Sequence, residues 1–166
     1  MLRLKGMRGF TLVELMITLA LLAIVATIAV PNFMQFIRNN QVQAKADELK
    51  SFLQYARGQA VTTRKSYEMD TTSTAWEVSS AEGDVERKLE FNTAQAQART
   101  NPSSLELTFN PSGMAQPAAT ITICRDNDSA NGYLLEVRPS GAIKMYARGY
   151  KSDTQKMAAD NCSAAQ

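Results

Sequence analysis

The chain has 166 residues, 45% of them apolar, and a formal net charge of +2. It contains no histidine, which excludes histidine-ligated metal centres and histidine-based catalytic triads. The positive excess sits at the start: Arg3, Lys5 and Arg8 precede any acid, and the remaining residues hold 15 bases against 16 acids, so bulk charge makes no case for a nucleic-acid partner.

Over residues 10–30 the only charged side chain is Glu14, and Thr11, Thr18 and Thr27 are the only other polar ones. About 21 residues at 1.5 Å rise each span the roughly 30 Å hydrocarbon core of a bilayer. A carboxylate at such depth costs roughly 2.5 to 3.5 kcal/mol on insertion scales, so Glu14 calls for a partner. An ordinary secretory signal peptide would have a shorter apolar region followed by a small-x-small cleavage site. Here the run ends in Ile28-Ala29-Val30-Pro31-Asn32, without one. A plain signal anchor needs only the length and the basic flank, and it leaves Glu14 unexplained. In either case the three leading cations predict a cytoplasmic N-terminus, with the remainder translocated.

The string Gly9-Phe10-Thr11-Leu12-Val13-Glu14 resembles the class III leader junction of type IV pilins and type II secretion pseudopilins. The resemblance implies that residues 1–9 are a leader removed by a prepilin peptidase, which cuts after Gly9 and methylates the new N-terminal Phe10. It also implies that Glu14 pairs with the N-terminal amine of a neighbouring subunit during assembly. That pairing is physically sound, because a carboxylate in lipid is tolerable once it meets an opposite, hydrogen-bonded charge.

Pro31, lacking an amide donor, is expected to bend or locally open the helix. The helical pattern resumes at once: Phe33, Phe36, Ile37, Val42, Ala46, Leu49, Phe52, Leu53, Ala56, Ala60 and Val61 recur at three- and four-residue steps, with polar residues between them. Residues 31–64 therefore read as an amphipathic continuation of the membrane-spanning residues 10–30, packed on the strands downstream. Asp47 with Lys50 and Lys45 with Glu48 are helix-face pairs. The stretch Phe52-Leu53-Gln54-Tyr55-Ala56-Arg57-Gly58-Gln59-Ala60-Val61 resembles the end of the helix in the FimU, FimT and GspH branch of the family, with its Ala-Arg followed three residues later by Ala.

Beyond Thr63 the period changes to two. Seven strands are expected, at residues 66–70, 75–79, 85–91, 105–110, 120–125, 133–138 and 142–148, with turns at Glu82-Gly83-Asp84, Pro111-Ser112-Gly113, Asp126-Asn127-Asp128 and Pro139-Ser140-Gly141. The two Pro-Ser-Gly turns resemble turns of the GspH-like domain. Residues 92–104, rich in Gln, Ala, Thr and Asn, read as a surface loop. The fold class is thus α+β and pilin-like: a long N-terminal helix, its first half transmembrane, on an antiparallel β domain of about seven strands covering residues 65–166. Cys124 and Cys162, an even pair on the translocated side, read as one disulfide.

Chemistry is sparse. No phosphate-cradling glycine loop, nucleophile elbow or spaced metal-ligand cluster occurs, and the Asp126 to Asp128 loop lacks the ligand spacing of a calcium site. No cofactor and no enzymatic activity are expected. Some FimT-like members of the family receive DNA through a basic C-terminal motif. Lys144, Arg148, Lys151 and Lys156, interleaved with Tyr146 and Tyr150, offer candidate phosphate contacts. Tyr146-Ala147-Arg148-Gly149-Tyr150-Lys151 departs from that motif's paired arginines, and Asp153 and Asp160 dilute the field, so DNA is not an expected partner. The expected function is that of a minor type IV pilin, FimU-like. It joins other minor pilins and the major pilin through its N-terminal helix, primes assembly from the inner membrane and sits at the pilus tip. A GspH-type pseudopilin of a type II secretion system and a FimT-like DNA-binding pilin are the alternatives.

Overall fold

The structure, a computed structural model, describes residues 10–71, 75–103 and 105–162. It divides into two compact units, Met1–Ile37 and Arg38–Gln166. One helix, α1 (Leu12–Thr63), runs through both.

Local chemistry explains where α1 starts and stops. Thr11 caps its N-terminus, its hydroxyl accepting a hydrogen bond from the Glu14 amide at 3.2 Å. Thr-x-x-Glu is the pattern of a capping box, and it places the Glu14 carboxylate in the first turn, at the positive end of the helix dipole. At the other end Thr62 and Thr63 donate their hydroxyls to the Gly58 and Gln59 carbonyls. Arg64 then takes the left-handed conformation, φ 57°, that commonly ends helices. Pro31 lies within α1. Its missing amide leaves the Thr27 carbonyl without its usual partner, while Asn32 adds a side-chain bond to the Ile28 carbonyl at 3.0 Å.

The second unit is built around the buried stripe of α1. Val42, Ala46, Leu49, Phe52, Leu53, Ala56 and Ala60 are all buried. They form one core with the inner faces of two antiparallel sheets. The five-stranded sheet has the order β3-β2-β1-β5-β6, from β1 (Tyr67–Thr71), β2 (Ala75–Ser80), β3 (Val85–Glu90), β5 (Leu107–Phe109) and β6 (Ala115–Gln116). The four-stranded sheet has the order β4-β7-β8-β9, from β4 (Gln97–Asn101), β7 (Ala119–Cys124), β8 (Tyr133–Val137) and β9 (Ile143–Met145). Register follows the side-chain alternation: Met69 opposes Val78, Trp76 opposes Leu89 and Ile121 opposes Leu135, all facing the core.

Among the described residues there are nine strands rather than seven. The supposed loop at residues 92–104 contains β4, which pairs with β7 from Gln97 opposite Cys124 to Asn101 opposite Thr120. In Gln97-Ala98-Arg99-Thr100-Asn101 the only apolar residue is a small alanine, so the alternation has almost no hydrophobic amplitude. The backbone ladder to β7 decides the conformation. The added β6 is a two-residue pairing with β5, below what periodicity can register. The last predicted strand is trimmed to Ile143–Met145.

The outer face of the four-stranded sheet carries a smaller core. Cys124, Leu134, Met157 and Cys162 are buried together, with Tyr146 against them. The Cys124–Cys162 disulfide draws the C-terminal tail, including a 3-10 turn at Ala159–Asn161, over this face.

Candidate assembly site

In the first unit the apolar side chains point outward on every side of the helix. Leu12, Leu15, Ile17, Leu19, Leu22, Ile24, Val25 and Ile28 are all more than half exposed. A helix that is apolar all round is covered by lipid or by neighbouring helices, since water alone does not support it. By length and composition α1 can cross a membrane. Among the described residues of this unit Glu14 is the only charge, one turn from Phe10, the first of them. The Thr11 cap holds the local backbone, so the carboxylate is presented from a defined first turn. The Thr-x-x-Glu spacing that signals this cap was readable in the sequence. Gly9, the expected cleavage residue, lies outside the described residues.

Arg57, noted only as part of a resemblance, has a definite structural task. Its Nε donates to the Gly113 carbonyl at 2.9 Å, and a terminal guanidinium nitrogen reaches the Ser140 carbonyl at 3.5 Å. One side chain thereby ties the end of α1 to both Pro-Ser-Gly turns. The turns also meet each other, as the Ala115 amide donates to the Pro139 carbonyl at 3.0 Å. Gly141 has φ +75°, and a Cβ there would run into the Gly113 carbonyl, so glycine is required on both counts. Nothing local predicts that contact, because the three segments are far apart in sequence.

The basic C-terminal residues are largely engaged within the fold. The Lys144 ammonium contacts the Asp153 carboxylate at 2.6 Å and lies 4.6 Å from the centre of the Tyr146 ring. Arg148 donates to the Tyr133 hydroxyl at 3.0 Å and to the Gln43 side chain at 3.1 Å, fastening the tail region to α1. Lys151 is exposed. Beside Lys144, Glu136 accepts from Arg138 at 3.1 Å and from the Tyr146 hydroxyl at 2.5 Å. The Arg138 bond, then the Tyr146 bond, hold its carboxyl below the usual glutamate value, and the same carboxylate raises the Tyr146 hydroxyl. On the opposite loop Asp128 spends its oxygens on the Ala130 and Asn131 amides and the Asn131 side chain, a turn rather than a cation cage. Among the described residues no cluster of carboxylates, cysteines or histidines is arranged to hold a metal.

Residues 45–141 match the family model of the type II transport protein GspH, and residues 4–30 match the prokaryotic N-terminal methylation motif. A fimbrial protein of Pseudomonas aeruginosa is 30% identical over 149 residues, covering 86% of this chain and 95% of that protein. The minor pilin FimU of the same organism superposes with a TM-score of 0.60 at 27% identity, over 68% of this chain and 92% of FimU. The minor pseudopilin EpsH of the Vibrio cholerae type II secretion system shares the fold alone, with a TM-score of 0.55 at 10% identity, over 69% of this chain and 99% of EpsH. The chain is therefore a member of the GspH family of minor pilins and pseudopilins, non-enzymatic structural proteins that assemble with other pilins.

Proposed function

We propose that this protein is a minor type IV pilin that joins other minor pilins in an inner-membrane complex, initiates fibre assembly and ends at the pilus tip. The observation that carries the reading is Glu14, the lone charge in an apolar helix surface that no other described residue covers. In this reading a prepilin peptidase cleaves between Gly9 and Phe10, leaving a methylated α-amino group on Phe10. The N-terminus starts in the cytoplasm and the second unit lies in the periplasm. The Phe10 amine of one subunit meets the Glu14 carboxylate of the next inside a low-dielectric helix bundle, where each charge satisfies the other. Removing one partner of such a pair costs about 3 to 5 kcal/mol, because the other stays buried and unpaired. Pro31 marks a point where α1 opens as the subunit leaves the bilayer.

Replacing Glu14→Ala leaves membrane insertion intact and sharply reduces the amount of the protein recovered in sheared fibres; equal recovery would end the pairing role. N-terminal sequencing of the mature protein should start at Phe10, and a Gly9→Leu variant should accumulate at precursor length. A second reading, a pseudopilin of a type II secretion system, is favoured by the fold shared with EpsH. Deleting the gene separates the two: loss of surface fibres with secretion intact supports the pilin, and the reverse supports the pseudopilin.

A further inference from the structure

A cleft of about 370 Å³ opens on the outer face of the four-stranded sheet. Its floor consists of two cross-strand rows: Arg99 beside Thr122 beside Leu134, and Asn101 beside Thr120. Because Ile121 and Ile123 turn into the core, strand alternation sends both threonines outward into the cleft. Asp160 and Asn161 of the C-terminal tail form one wall. That wall is held by the Cys124–Cys162 disulfide and by the Arg99 guanidinium, which donates to the Cys162 carbonyl. Arg99 is fixed further by the Gln97 and Asn127 side-chain oxygens, each at 3.0 Å. A second cleft of about 330 Å³ borders it at Asn101 and Thr120 and is lined further by Glu136, Arg138 and Pro139.

Thr122 is the informative residue. It is only 8% exposed, yet its hydroxyl makes no hydrogen bond with the described residues. The hydroxyl itself is not sealed in: among the described residues only Ser80 Oγ is a fully buried side-chain oxygen without a partner, so the Thr122 hydroxyl opens onto the cleft and is available to a ligand. The lining around it selects among ligands. An apolar ligand would strand the Thr120 and Thr122 hydroxyls, and a lining that mixes Arg99 with Asp160, and Arg138 with Glu136 beside it, favours neither an anion nor a cation. Threonine hydroxyls and the Asn101 amide both donate and accept, which suits a ligand whose own groups do the same. We propose that this cleft binds a neutral polyhydroxylated ligand, a saccharide unit, with Thr122 and Arg99 as its central contacts. The proposal is independent of whether the protein serves a pilus or a secretion system.

The test uses the full chain in phosphatidylcholine nanodiscs, free of sugar-based detergent. Saturation-transfer NMR is recorded with glucose, galactose, mannose, N-acetylglucosamine and maltose at millimolar concentration, and with triglycine and inorganic phosphate in parallel. At least one saccharide should give saturable transfer. Thr122→Val, which keeps the shape and removes the hydroxyl, should weaken that binding about tenfold, and Thr122→Ser should restore most of it. Unchanged thermal melting of both variants keeps the comparison interpretable. Silence from every saccharide, binding indifferent to Thr122→Val, or transfer to triglycine or phosphate in place of sugars would each overturn the proposal.

Discussion

The two parts of α1 are built from similar side chains and obey different physics. Up to Phe36, leucine, isoleucine, valine and alanine face outward all round the helix. From Val42 to Ala60 the same residue types keep to one stripe, buried under two sheets, while Asp47, Glu48, Ser51 and Gln54 face water. No other described residue covers the apolar surface of the first part; the second part is covered by the sheets of its own unit. Assembly and folding are thereby assigned to different stretches of one continuous element. Glu14 belongs to the first and Arg57 to the second.

That division makes graded predictions for the full chain in a membrane mimic. Phe52→Ala, in the buried stripe, should lower domain stability by about 3 to 5 kcal/mol in denaturant unfolding. Leu21→Ala, at 59% exposure, should leave that unfolding curve in place. A matching loss from Leu21→Ala would break the comparison. Next comes Cys124→Ser with Cys162→Ser: opening a 38-residue separation should cost about 3 to 4 kcal/mol on the chain-entropy model and release the tail to proteases first. Arg57→Met, which strips the hydrogen bonds to Gly113 and Ser140, should cost about 1 to 3 kcal/mol.

The smallest effect is a pH dependence. Glu136 has a carboxyl held below its unfolded value of 4.5 by Arg138 and Tyr146, so its contribution is fully present above about pH 4.5 and is lost as pH falls through the lower folded value. Glu136→Gln should flatten the acid side of the melting-temperature profile without altering the neutral side. An identical acid slope in the variant would show that the carboxylate network contributes nothing there.

Much of this architecture is readable along the chain. The membrane-length run, the isolated Glu14, the amphipathic stripe and the seven expected strands announce themselves through period and punctuation, because each depends on residues within one or two helical turns or strand repeats. β4 does not, since Gln97-Ala98-Arg99-Thr100-Asn101 presents only one small apolar side chain, and its strand character comes from the β7 backbone. Arg57 stood out only as part of a family-like stretch until its two carbonyl acceptors, from turns far along the chain, gave it a purpose. Lys144 and Arg148 looked available to phosphate until Asp153, Tyr133 and Gln43 claimed them.

Local pattern along the chain is enough to set where it turns apolar, which carboxylate it carries there and which helix face turns inward. These follow from local hydrophobic period and from the cost of a lone charge in lipid. The order of strands in the two sheets, the tail folded over β7 and β8, and the polar cleft with Thr122 at its centre come from the packed fold. Those depend on pairings between distant segments, where backbone hydrogen bonds and the fit of facing side chains choose among arrangements that local pattern leaves equivalent.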